Sequence, residues 1–181
     1  MKPNSLQELY VEQLRDLYDA EQQIIKALPE MIDAASTTEL KSALEEHLEI
    51  TKVQATRLDR IFAALGEEPK GEKCKGIEGV IKEGSSLIAD IENPNVRDAA
   101  IIASAQRVEH YEMAGYGTAR TYAMLFQDAE ASQLLQQTLA EEVEADQKLT
   151  DLASDINANA LGEEPIQGEG VAPDIDRRDA A

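Results

Sequence analysis

Four stretches of this chain, each of about thirty residues, carry apolar side chains at helical spacing, and they come in two tightly linked pairs. The first spans about 5–35, with Leu14, Leu17, Glu21, Ile24 and Leu28 on one face. Pro29 inside it predicts a kink or one lost hydrogen bond. The second spans about 37–65, with Leu40, Leu44, His47, Thr51, Gln54, Leu58 and Ile61 aligned. Ser36 followed by Glu39 predicts a capping box at its start, and Gly66 predicts its stop. The third covers about 95–126 through Ile102, Ala105, Glu109, Glu112, Tyr116, Ala119, Ala123 and Phe126. The fourth, about 129–158, runs through Leu135, Thr138, Glu142, Ala145, Leu149 and Leu152, with Asp128 as its cap.

A helix of that length is ~45 Å long. The links at 36–37 and 127–128 leave room only for antiparallel hairpins. The connection over 66–94 is long enough to cross a whole bundle. Its segment GIEGVIKEGSSLIADI, 76–91, predicts a short fifth helix, weakened by Gly79 and Gly84, whose Val80, Ile81, Leu87 and Ile88 need a bundle or a dimer partner to cover them. The expectation is an all-α, ferritin-like four-helix bundle with one long crossover connection containing a short fifth helix. Residues 1–158 would form it. Residues 159–181, rich in Gly, Pro and acids, would be a disordered or docking tail.

Charge narrows the function classes. The formal net charge is −19, and the acidity is not confined to the tail. Nucleic-acid binding is disfavoured, because it is driven by Lys and Arg displacing counterions from phosphates. No apolar run approaches the ~20 residues of a membrane helix. The N-terminal MKPNSLQELYVEQL has no apolar core of a secretory signal, and Cys74 is the sole cysteine, so no intrachain disulfide forms. These features predict a cytoplasmic protein that avoids nucleic acid and membrane.

Polar residues interrupt all four stripes near mid-length: Glu21; His47 and Gln54; Glu109 and Glu112; Glu142. Asp146 flanks the last of these. Glu21 and Gln54 are 33 residues apart, and so are Glu109 and Glu142, which puts both pairs at matching depth if each hairpin is symmetric about its turn. Four carboxylates in an apolar core cost several kcal/mol per ion unless protons, cations, water or metal compensate them. No Lys or Arg lies on the stripes; Arg57, Arg107 and Lys148 project off their centres. An oxygen-rich set with a single imidazole suits iron or manganese. The expected metal residues are Glu21, His47, Glu109, Glu112 and Glu142, supported by Gln54 and Asp146.

Alternatives stand beside this. Each stripe glutamate, alone, could reach water at the stripe's edge. His47 reads either as a ligand or as a satisfied core histidine, and it lies ~10 Å along the axis from Gln54, in a displaced site or in none. His110 points away from Glu109 and reads as peripheral. Tyr18, Tyr111 and Tyr116 read as core aromatics whose hydroxyls bond buried acids. Glu45, Glu46 and Glu144 read as solvated. Di-iron carboxylate bundles supply Glu-x-x-His from two helices, and that motif occurs nowhere here: Leu44 precedes His47 by three residues, and Arg107 precedes His110.

The segments LRDLYDAEQQIIKALP, HLEITKVQATRLDRI, KCKGIEGVIKEG, VRDAAIIASAQRVEHYEMAGYGT and TLAEEVEADQKLTDLA resemble the ferritin-like YciE/YciF family of bacterial stress proteins over about residues 5–157. The resemblance implies a ferritin-like bundle, commonly dimeric, linked to stress responses. By position, the family's recurrent polar core residues match Glu21, His47, Gln54, Glu109, Glu112, Glu142 and Asp146. Ile50 departs from it, standing where relatives often carry a second acid. Two functional readings follow. One is a stress protein with a di-iron or di-manganese site for redox or metal handling, with oxygen, peroxide or ferrous iron as substrate. The other is a non-enzymatic helical homodimer, or a binder of another stress protein, with a degenerate site.

Overall fold

The computed structural model describes residues 3–162; the expectation for the tail over 163–181 lies outside them. Five helices follow in order: α1 (Leu6–Ala34), α2 (Thr38–Leu65), α3 (Lys75–Ala89), α4 (Pro94–Leu125) and α5 (Ala129–Ala160). α1 with α2 and α4 with α5 form the two hairpins. α1 also lies against α4, and α2 against α5, which closes the bundle. α3 rests on the outside, against α4 and α1. α1 continues past Pro29 to Ala34, and α5 runs two residues beyond the expected boundary at 158.

The helix ends show where local sequence rules hold and where they yield. Ser5 caps α1 by accepting from the Glu8 N–H, and Asp128 caps α5 by accepting from the Ala131 N–H. Gly66 ends α2 in the left-handed region, with φ of 67°. The capping box at Ser36 and Glu39 does not form: Thr37 is the N-cap residue, and its side chain makes no capping bond. Asp98, fully buried on α4, takes that role. Its carboxylate accepts from the Ser36 N–H at 2.7 Å and the Thr37 N–H at 2.8 Å. Its neighbour Arg97 donates to the Ala34 carbonyl at 3.0 Å. Adjacent residues of opposite charge thus meet the C-terminus of α1 and the N-terminus of α2, each the charge that helix end favours.

The crossover helix buries its apolar face against its own bundle. Ile77 and Ile88 are buried, Val80 and Ile81 pack beside them, and Leu87 stays exposed. Gly84 permits the approach: a Cβ there would fall 2.9 Å from the Ser104 Cβ.

Two apolar clusters fill the interior. One, at the end holding the α1–α2 turn, includes Ile24, Leu28, Leu40, Leu44, Ile101 and Leu149. The other, at the opposite end, includes Tyr10, Leu14, Leu58, Phe62, Ala119 and Leu135. Each draws on α1, α2, α4 and α5. Between them lies a layer of buried polar side chains, and the predicted site residues fall in it.

Candidate metal centre

Four of the five expected metal residues converge. One ligand atom from each of His47, Glu109, Glu112 and Glu142 falls within 4.8 Å of all the others. Glu142 is 0% exposed, Glu112 1% and His47 7%, so the group lies inside the bundle. His47 Nε2 stands 3.4 Å from Glu109 Oε1. Periodicity placed His47 either in a displaced site or in none; packing draws it in. Glu109 and Glu112 are one turn apart on α4, so the polar layer is elongated along the bundle axis. It meets His47 near Glu109 and Gln54 at Glu142.

Glu21 borders this group without joining it. Its Oε1 accepts from the Tyr116 hydroxyl, and its carboxyl also meets that of Glu112. Gln54 donates to Glu142 Oε1, and to Glu141 Oε2 at 3.2 Å. Asp146 stands off the chamber, accepting from Gln106 at 3.1 Å and flanking His110 at 3.4 Å. His110 is exposed, as expected of a peripheral residue. Of the three tyrosines read as partners of buried acids, Tyr116 alone meets a fully buried one. Tyr111 donates to the half-buried Asp16 at 2.7 Å, and Tyr18 bonds the exposed Asp59.

Periodicity placed Arg57 only off its stripe centre, and its pairing with Glu141 escaped that reading. Arg57 bonds both oxygens of Glu141, at 2.5 and 2.6 Å, and also the Thr138 hydroxyl at 3.1 Å. Its field favours the charged form of Glu21. The signal for it was available: Arg57 follows Gln54 by three residues, and Glu141 adjoins Glu142.

The electrostatics are those of an under-compensated anion cluster. Desolvation by burial pushes the Glu21 carboxyl well above the usual carboxylate range, and the charge of Glu142 adds to this. Glu112 rises for the same two reasons in the same order. Glu109 rises first by burial and then through its hydrogen bond with Glu142. Burial holds the His47 imidazole below its ordinary value, toward the neutral form that ligates metal. Arg57 is mostly committed to Glu141 and cannot neutralise the set.

The unused atoms of the donor set suit a metal. Glu21, Gln54, Glu109 and Glu142 each keep one oxygen with no hydrogen bond from the chain, Glu112 keeps both, and His47 keeps both ring nitrogens. Buried polar atoms are normally satisfied. Three carboxylates and one neutral imidazole converging there fit a divalent ion of the iron or manganese class. Glu21 and the second oxygens of Glu112 and Glu142 offer only oxygen donors for a second ion.

Comparison with known proteins agrees with the architecture. The model of a domain of unknown function, DUF892, matches residues 5–161. Protein YciF of Escherichia coli K12 is 40% identical over 162 residues, 88% of this chain and 98% of that protein. The crystal structure of that stress protein superposes with a TM-score of 0.83, covering 86% of this chain and 99% of the other. YcfI of Rhodopseudomonas palustris, proposed to be a structural protein, gives a TM-score of 0.79 at 44% identity, over 81% and 94% of the two chains. A two-domain Anabaena variabilis protein with a ferritin-like domain matches at 17% identity and a TM-score of 0.58, a likeness of fold alone that covers 93% of this chain and 42% of the other. With this match across almost all of the described residues, the chain belongs to the DUF892 family of ferritin-like, YciE/YciF-type proteins.

Proposed function

We propose that this stress-protein relative binds iron or manganese in the mid-bundle chamber and uses it for redox chemistry or metal handling. The observation that carries the reading is the convergence of His47, Glu109, Glu112 and Glu142 with buried atoms that have no partner in the chain. Protonation alone would quiet the charges and let Glu109 face His47 Nε2 as a donor, yet it would leave His47 Nδ1 without a partner. A bound ion engages the imidazole and the acids together. Glu21 and Gln54 would hold and orient the far side of the centre, where a second ion has oxygen donors only. Iron or manganese there would supply one-electron chemistry toward oxygen or peroxide. The neutral His47 is ready to ligate, while Tyr116 holds one oxygen of Glu21 in place. We place the protein in the cytoplasm as a homodimer.

Anaerobic titration of the chelator-treated protein with ferrous iron tests this by metal count. One or two ions per chain are expected, falling below half occupancy in Glu109→Ala and Glu142→Ala. No stoichiometric metal in the parent protein would sink the proposal, and metal that survives both substitutions would put the site elsewhere. A second reading, a helical scaffold that pairs with itself or with another stress protein, is favoured by one observation: Gln54 stands on α2 where a full ligand set would want an acid or imidazole, and it is committed to Glu142 and Glu141.

A further inference from the structure

The seam between α2 and α5 is closed mainly by polar bridges. Arg57 meets Glu141, Arg60 meets Glu130 and Lys148 meets Glu46, each pair linking the two helices. Between the bridges at Arg57 and Lys148 the seam opens into a cavity of about 140 Å³. Leu44 and Ile50 of α2 and Ala145 and Leu149 of α5 form its apolar walls, with the acids Glu141 and Glu144 of α5 along one side. His47 and Glu109 line its floor, both more than nine-tenths buried, with both imidazole nitrogens and one carboxylate oxygen unbonded within the chain. Lys148 Nζ and Glu46 Oε2, 2.5 Å apart and exposed, stand across its mouth. Glu46 was expected to be merely solvated.

We propose that this cavity binds a small uncharged organic molecule, with an apolar body of about benzene size and one polar atom turned toward His47 and Glu109. Size and wall chemistry set the class. A dry apolar cavity of roughly 150 Å³ is enough to take up benzene. The acids Glu109, Glu141 and Glu144 repel an anion, Glu141 and Glu46 are already paired with Arg57 and Lys148, and the aliphatic walls favour an apolar body over a hydrated ion. The unbonded His47 nitrogens and Glu109 oxygen supply a donor or an acceptor for one polar atom, so a phenol-like shape satisfies both ends. Closure by a surface ion pair lets such a ligand enter without disturbing either apolar cluster.

The cavity shares His47 and Glu109 with the proposed metal centre, so the inference is read in full-length protein stripped with a chelator, where its failure leaves the metal reading standing. Methyl NMR of Leu44, Ile50 and Leu149 is followed during titration with phenol, benzene and benzoate. Phenol and benzene should produce saturable shifts confined to these methyls. Phenol should bind about fivefold more tightly, the size of one net neutral hydrogen bond, and benzoate should produce none. Ala145→Leu fills the cavity from α5, and Ala43→Leu fills it from α2 should the first variant fail to fold. Loss of the shifts in whichever variant keeps the parent's helical circular dichroism supports the site. The proposal is overturned by the absence of saturable shifts, by shifts unchanged in a folded filled variant, or by benzoate binding as well as phenol.

Discussion

Burial makes Glu109 and Glu112 hold a proton more tightly in the folded chain than in an unfolded one, and Glu21 behaves alike. All three sit above the ordinary carboxylate value of 4.5, chiefly through desolvation. Their contribution to metal-free stability is therefore complete below that value and lost as pH rises through the folded-state values. His47 works oppositely: its value is lowered, so its contribution is present above 6.5 and lost on acidification. Three groups oppose one, so chelator-treated protein should show a lower urea midpoint at pH 8 than at pH 5.5. Glu112→Gln should flatten that difference, and an unchanged slope would dissociate Glu112 from it. The stripe acids were legible because the 3.6-residue period fixes which Cβ atoms face inward. The pairing of Arg57 with Glu141 was not, since long side chains on a flank reach several ångströms sideways, and periodicity says nothing about reach.

At the scale of elements, helix number, order and approximate ends were readable from apolar spacing, caps and the short hairpin links. The start of α2 was not. Ser36 and Glu39 satisfy the local pattern, but Asp98 arrives from α4 with two charge-assisted bonds and displaces it. A contact across about sixty residues of sequence is invisible to a four-residue rule. Asp98→Ala should cost about 2–3 kcal/mol, because it takes a buried carboxylate acceptor from two part-buried backbone N–H groups at the start of α2. Asp98→Asn, which keeps one acceptor oxygen, should cost about half of that. Urea denaturation of the two variants checks both values, and equal losses would mean that side-chain volume, not hydrogen bonding, dominates there. The short helix expected over 76–91 forms. Gly84, read there by propensity alone, also allows the close approach to Ser104.

For the whole molecule, ligand linkage converts the chamber into a stability readout. An ion held at a hundred times its dissociation constant adds about 2.7 kcal/mol. For a chain of this size that is roughly 5–10 °C in Tm. Manganese or ferrous iron should raise the melting temperature by that amount, reversibly with chelator, and calcium should raise it less because the imidazole suits it poorly. Scanning calorimetry of the three forms tests this, and equal shifts with calcium would point to surface acids instead. No helix among the described residues is long and apolar enough to cross a membrane.

The polar layer between the two apolar clusters also bears on cooperativity. Apolar packing couples its neighbours through continuous contact, and here that continuity is interrupted halfway along the bundle. In the metal-free protein the two ends should open as separate units, giving amide hydrogens two plateaus of exchange protection, one per cluster. A bound ion ties α2, α4 and α5 together at the interruption and should merge the plateaus into one. Exchange measured residue by residue, with and without manganese, would register the chamber as a coupler between two foldons.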